Sequence, residues 1–305
     1  MKQIRPVLFA VLAAAFYGIN VPCSKLLLEH VGPVTLAGLL YLGAGTGIGI
    51  LSIGREKGER LSREDLPFVL GMIALDIAAP VLLMFGISLG SSSNASLLGN
   101  FEIVATAVIA LLVFREAVSR RLWGAILLIT LSSALLSLNG TDSFRFSCGS
   151  LLVLLATVCW GFENNCTRKI SSKSTYQIVM LKGFFSGSGA MAIARILRED
   201  FPEIRYAALA LLLGSVAYGL SIFLYVRAQN GIGAAKTSAF YAIAPFFGAF
   251  LSFVFLHEAL TGLYLIALAG MLAGTALVIL DTLDAGNPGE ADPGEAGSGR
   301  KTGKL

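Results

Sequence analysis

The chain has 305 residues, 55% of them hydrophobic and 14% charged, with a net charge of +4 and a mean hydropathy of +0.77. A soluble domain of this size needs far more charge to cover its surface, so a soluble globular class is excluded. The four cysteines form no C-x-x-C pair and the only histidines are His30 and His257, which leaves zinc or haem chemistry without a ligand set.

Apolar runs of about 20 residues, enough to cross a hydrocarbon core of roughly 30 Å, recur along the chain. They predict an all-α integral membrane protein of ten spans, at 6–28, 33–53, 66–88, 95–114, 121–139, 148–168, 176–197, 205–227, 236–257 and 260–280. The first follows Lys2 and Arg5, but its apolar part is too long for the h-region of a signal peptide, so it is expected in the mature protein. It carries Tyr17 and Asn20. The second holds Gly43, Gly45, Gly47 and Gly49, a small-x-x-x-small pattern matched by Gly183 and Gly187 that lets backbones approach closely.

The third span places Asp76 near its middle, where an acid costs at least about 2.5–3.5 kcal/mol on the insertion scale. Pro80 follows four residues later and has no N–H for the carbonyl of residue 76, so carboxyl and freed carbonyl form either a polar site or a hydrogen-bonded kink. Glu102 and Asn100, in the fourth span, fall at a similar depth. Glu102 either shares a proton with Asp76, as closely spaced carboxylates do, or binds only backbone groups. Glu116, and later Glu258, lie at helix ends and read as caps or helix anchors.

In the sixth span, "CWGFENNCTRK" interrupts apolar sequence with Glu163, Asn164 and Asn165. The seventh returns from the same side with Lys182 at a matching depth, so Glu163 and Lys182 are expected to pair. Glu163, Asn164 and Lys182 then line a cavity walled by Trp160 and Tyr17, or else the pair is a structural tie between helices. Pro80 and Pro245, in the ninth span, are the candidate hinges. From Asp281 the chain turns Gly-, Pro- and charge-rich, and 281–305 is expected to be a disordered cytoplasmic tail.

Orientation follows from Lys and Arg. With the N-terminus inside, seventeen of these residues fall on the cytoplasmic side and five outside, so both termini are expected in the cytoplasm of a multi-pass cell-membrane protein. The charge is a topology signal and no nucleic-acid partner is implied.

The chain repeats itself. "YGINVPCSK" (17–25) aligns with "WGFENNCTR" (160–168) at an offset of 143, which makes Asn20 the mate of Glu163. At an offset of 142, "GTG" (45–47) meets "GSG" (187–189), "FREAVS" (114–119) meets "LHEALT" (256–261), and "SSALLSL" (132–138) meets "GTALVIL" (274–280). Two halves, 1–140 and 141–280, with an odd number of helices each, must be inverted relative to one another. Such repeats place a binding site near the midplane and support alternating access.

Five helices per repeat, with the fourth ending in Phe/Leu-x-Glu-Ala-x-Ser/Thr, resembles the EamA-like domains of the drug/metabolite transporter superfamily. The Glu-Pro pair that many such repeats carry on the fourth helix is split here, as Glu102-Ile103 and Ala244-Pro245. The resemblance implies a secondary transporter for an amino acid-like or amphipathic metabolite, exporting it, with no cofactor, a small-molecule substrate and the lipid bilayer as partners, working as a monomer or homodimer. Alternatives are an uptake carrier or exchanger on the same fold, or an intramembrane enzyme. The sequence lacks Walker A and H-E-x-x-H patterns, which leaves ATP use and a zinc-dependent intramembrane enzyme without their motifs.

Overall fold

A computed structural model describes residues 4–55, 58–88, 101–137, 148–244, 246, 247, 250 and 262–286. Asn100, Pro245, Glu258 and the 140–147 loop lie outside the described residues. Helices account for nearly all of the rest: α1 (Ile4–Leu27), α2 (Pro33–Leu51), α3 (Leu66–Ser88), α4 (Phe101–Leu112), α5 (Arg120–Ser137), α6 (Cys148–Ile170), α7 (Thr175–Ile196), α8 (Ile204–Ile232), α9 (Ala234–Tyr241) and α10 (Gly262–Gly286). Helices are what this composition demands, because in a bilayer each backbone N–H and C=O must be satisfied within its own segment.

Among the described residues, five segments are long and apolar enough to cross a membrane: Pro33–Leu51, Arg63–Leu83, Thr175–Ile196, Ile204–Ile232 and Leu265–Thr282. α1 and α4 offer shorter apolar stretches, Ile4–Asn20 and Phe101–Leu112. α6 has the length, at 23 residues, but its Glu-Asn-Asn run dilutes its hydropathy. The outer faces are apolar: Ile50, Leu127, Leu131, Leu212, Ile266 and Leu272 are all exposed, as lipid-facing residues are.

Small residues bring the helices together. α2 runs against α7 and α8 with backbones in contact. A methyl group on Gly183 would overlap the backbone of Gly45, and one on Gly214 would overlap that of Leu40. Both partners of α2 contain a π-helical stretch at this contact, Lys182–Ser186 in α7 and Gly214–Leu220 in α8. Elsewhere α3 packs along α6, α1 along α8 and α5 along α10. Under the repeat offset α1 corresponds to α6 and α3 to α8, so the first two of these contacts are repeat-related, and each joins one half to the other. One core joins α1, α4, α5, α8, α9 and α10 through Ala10, Ala107, Ala125, Ala239, Phe240 and Met271.

Three ends bear on the sequence expectations. Glu116 does cap a helix: its Oε2 accepts the Ala234 N–H at the start of α9 (3.3 Å), just after Gly233, whose φ of 82° and contact with that carboxylate suit only glycine. Glu199 does the same for α2, accepting the Val34 and Thr35 N–H groups at 3.2 and 2.7 Å. At the far end, α10 does not stop at Leu280 but continues through Asp281 to Gly286. The expected disorder from Asp281 is therefore corrected for 281–286. Asp281 is buried, pairing with Lys236 (2.7 Å) and accepting the Ser119 hydroxyl, while the exposed Asp284 meets Arg121 at the surface.

Candidate functional site

The centre of the molecule holds charges that composition alone makes expensive. Lys182, on the first residue of the π stretch of α7, puts Nζ 2.8 Å from Glu163 Oε1 on α6 and 3.6 Å from Asp76 Oδ2 on α3. All three are buried, at 6%, 3% and 3% exposure, so none is stabilised by bulk water. The expected Glu163–Lys182 pair forms, and Asp76 joins it as a third member. Further hydrogen bonds support the cluster: Tyr41 donates its hydroxyl to Asp76 Oδ1 (3.1 Å), Ser186 reaches Asp76 Oδ2 at 3.5 Å, and Thr167 donates to Glu163 Oε1. A buried pair holds only when such extra bonds accompany it.

Among the described residues Asp76 and Glu102 have different company, and Glu102 bonds a side-chain amide rather than backbone groups alone. α7 brings Lys182 to Asp76. Glu102, on α4, instead accepts the Asn164 amide at 3.0 Å, and that amide also lies 3.3 Å from Thr106 Oγ1. Asn165, next along α6, donates to the carbonyls of Thr106 (3.0 Å) and Gly161 (2.8 Å) and so staples α6 to α4. The Glu-Asn-Asn run thus divides its work: Glu163 faces α7, and the two amides face α4.

Pro80 lies inside α3, which continues through it without interruption. With Asp76, Ile77 and Val81 it borders a cavity of about 20 Å³ closed by Val34, Ala37, Tyr41 and Ala190. That is room for about one water beside the carboxyl group.

The other wall is aromatic. Starting at Asp76, Tyr41 packs edge-on against Tyr218 (ring centroids 5.2 Å apart), Tyr218 tilts on Tyr17 (5.6 Å), Tyr17 on Tyr241 (5.3 Å), and Tyr241 packs edge-on against Tyr225 (4.9 Å). Ser221 ties this arc to α1 and α9, donating to the Ala13 carbonyl (2.9 Å) and sharing a hydrogen bond with Tyr241 (3.1 Å). Gln229 donates to the Asn164 carbonyl at 2.9 Å, closing the belt back to Glu102. Tyr17 thus packs between Tyr218 and Tyr241. Asn20 is buried beside it, accepting Ser24 Oγ at 2.8 Å, within hydrogen-bonding reach of Tyr218. Trp160 is half-buried one turn before Glu163, with no ring partner among the described residues.

Sequence reasoning missed Tyr41, Tyr218, Tyr225 and Tyr241. Two signals were available. Tyr218, Ser221, Tyr225 and Gln229 recur at helical spacing as a polar stripe on α8. Asp76 also meets Tyr218 at the repeat offset of 142.

Among the described residues no cluster of three or more His, Cys, Asp or Glu side chains is arranged to hold a metal ion.

The profile of the EamA-like transporter family matches this chain twice, over residues 4–138 and 147–280. A curated relative from Methanothermobacter thermautotrophicus, named an uncharacterized transporter, is 25% identical over 281 residues, covering 85% of this chain and 81% of its own length. One solved crystal structure superposes with a TM-score of 0.78 over 92% of this chain and 98% of its own, at 17% identity, a likeness of fold alone. With both halves matched and a belt of ionisable residues at its core, the chain belongs to the EamA-like transporter family, a multi-pass membrane transporter built as two repeats.

Proposed function

We propose that the protein is a secondary transporter that crosses the cell membrane ten times, as two five-helix repeats (1–140 and 141–280) of opposite orientation. Both termini and the 281–305 segment face the cytoplasm. It exports a small metabolite, amino acid-like or amphipathic, by alternating access. The observation that carries this reading is the belt of buried polar groups beside the α2–α7 crossing. These two helices are repeat mates, and intramembrane ionisable residues are costly enough to mark a pathway or a relay. The excess of Lys and Arg on one set of connections supports the orientation.

Asp76 or Glu102 carries the coupling proton. Asp76 is the better placed, beside a cavity of one water's size and within reach of Lys182. The decisive experiment is flux of labelled solutes in proteoliposomes, with and without a pH gradient. Asp76→Asn is expected to abolish gradient-driven flux and to leave counterflow exchange measurable. Equal loss in both assays would remove Asp76 from coupling, and an extracellular label on a cysteine placed at residue 60 would overturn the topology.

A further inference from the structure

Where α4 and α6 end, positive charge is left unmatched. Lys169, in the last turn of α6, holds Nζ 5.8 Å from the centre of the Phe114 ring, and Phe68 of α3 braces that ring from 6.5 Å. Arg115 follows Phe114 directly. Arg168, beside Lys169, meets only a neutral partner, its Nη1 lying 3.3 Å from Ser171 Oγ. Among the described residues none of these three cations forms an ion pair, whereas Arg121, Lys173 and Lys236 pair with Asp284, Glu59 and Asp281. The acid next in the chain, Glu116, is engaged at the start of α9.

Arg115 is also held in a conformation that its side chain disfavours. Its φ is 56°, in the left-handed region, just past α4, where the Glu116 N–H closes the helix end on the Ala110 carbonyl at 2.8 Å. Glycine is the usual residue at such a position. Strained backbone of this kind gathers at functional sites, and here it presents an exposed cation one residue from the ring that the exposed Lys169 covers. Immediately before it, Leu112 and Val113 are 72% and 56% exposed, so a bare apolar strip adjoins the charges.

An excess of Lys and Arg is enough to orient a chain, but it explains neither the strained arginine nor the apolar strip beside it. A neutral lipid would cover the strip and leave the charges unanswered; a soluble anion would do the reverse. We infer that the ends of α4 and α6 bind a phospholipid of net negative charge, its phosphate at Lys169 and Arg115 and its acyl chains along Leu112 and Val113. The inference goes beyond the transport reading and depends on neither substrate nor direction.

The test uses the full chain, freed of lipid in a neutral detergent and titrated with dioleoylphosphatidylglycerol or dioleoylphosphatidylcholine, with bound lipid counted by native mass spectrometry. The anionic lipid is expected to bind at least about tenfold more tightly. Lys169→Gln and Arg115→Gly should each weaken it about fivefold and leave the neutral lipid within about twofold. Arg115→Gly has a second readout: glycine adopts this φ without strain, so the lipid-free melting temperature should hold or rise. Arg227→Gln is the control. It removes a cation over Phe223 on the α7–α8 flank and should change the anionic lipid's affinity by less than about twofold.

Equal affinity for the two lipids overturns the inference. So does a loss from Arg227→Gln as large as that from Lys169→Gln, which would leave the positive charge a topology signal alone. If glycerophosphoglycerol, the headgroup without its tails, competes as well as the intact lipid, the site takes a soluble phosphate and the lipid assignment falls. A drop in the lipid-free melting temperature of Arg115→Gly would assign that residue to the fold and remove it from the site.

Discussion

The same three positions in the two repeats hold opposite chemistry. On one side of the seam between the repeats, Asp76 of the first and Glu163 and Lys182 of the second form a buried ionic cluster between α3, α6 and α7. At the repeat offsets their mates are Tyr218, Asn20 and Leu40, on α8, α1 and α2. These carry no formal charge and are held by ring packing and neutral hydrogen bonds. The backbone arrangement is common to both sides of the seam, since α3 lies along α6 as α8 lies along α1. The difference teaches that the repeat transmits helix packing and leaves the electrostatics free to diverge. One side of the centre depends on an exact charge complement, and the other on shape.

The largest expected effect breaks that comparison at its cation. Lys182→Met leaves two buried carboxylates facing each other, and truncating one partner of a buried ion pair typically costs about 3–5 kcal/mol. The same chemistry at its mate, Leu40→Met, conserves volume and should cost less than about 1.5 kcal/mol. Thermal unfolding in detergent measures both. Similar losses would mean that packing, not charge, distinguishes the two sides.

Removing charges together should do less harm than removing one. Adding Glu163→Gln and Asp76→Asn to Lys182→Met eliminates the whole cluster, and most of the stability lost in the single variant should return. Transport then separates two roles: flux still absent in a stable protein assigns the cluster to the mechanism, and recovered flux makes it a structural tie. Losses that simply add would show that the three groups act independently, against their 2.8 and 3.6 Å separations.

On the tyrosine side, Tyr218→Phe removes a hydroxyl and keeps the ring, which should cost about 1 kcal/mol. Tyr218→Asp would install the charge of its mate Asp76 without a lysine opposite, because that position is Leu40. It should be far more damaging than Tyr218→Phe, and Leu40→Lys in the same chain should partly rescue it. Absence of rescue would show that the ionic cluster cannot be transplanted by the repeat relation alone.

The smallest effects belong to the loop ties at the ends of α2 and α7. Glu199→Gln weakens the cap on α2 and should lower stability by about 1 kcal/mol. The connection before α3 is tied to the start of α7 by the Ser174 N–H on the Glu59 carbonyl (2.6 Å), the Leu61 N–H on Gln177 Oε1 (3.0 Å) and the exposed Lys173–Glu59 pair. Glu59→Gln should leave the melting temperature unchanged, since an exposed pair is screened. The hydrogen bond from Lys173 to Glu59 raises the ammonium above its ordinary 10.5. The lysine's share of the tie is therefore complete below its unfolded value and is lost as pH rises through the raised one. A sensitivity near neutral pH would assign the tie to another group.

Much of this protein was determined by its sequence. Composition required a membrane protein, because 14% charge cannot cover a soluble surface. The two offsets, 143 and 142, required a duplicated fold, and Glu163 with Lys182 required a buried pair, because adjacent antiparallel helices set their depths within a residue or two. What depth along a helix cannot give is direction around it. Asp76 and Glu102 lie at similar depths, yet α3 turns one toward Lys182 and α4 turns the other toward Asn164. The five tyrosines are scattered over four helices, and no spacing in the chain joins Tyr17 to Tyr218 or Tyr41 to Asp76. Tertiary structure alone decided those contacts, through the close approach of α2 to α7 and α8 that Gly45, Gly183 and Gly214 permit. Nor could composition foresee that Asp281 and Asp284 extend α10, since charge reads as solvated until Lys236, Ser119 and Arg121 are folded against it.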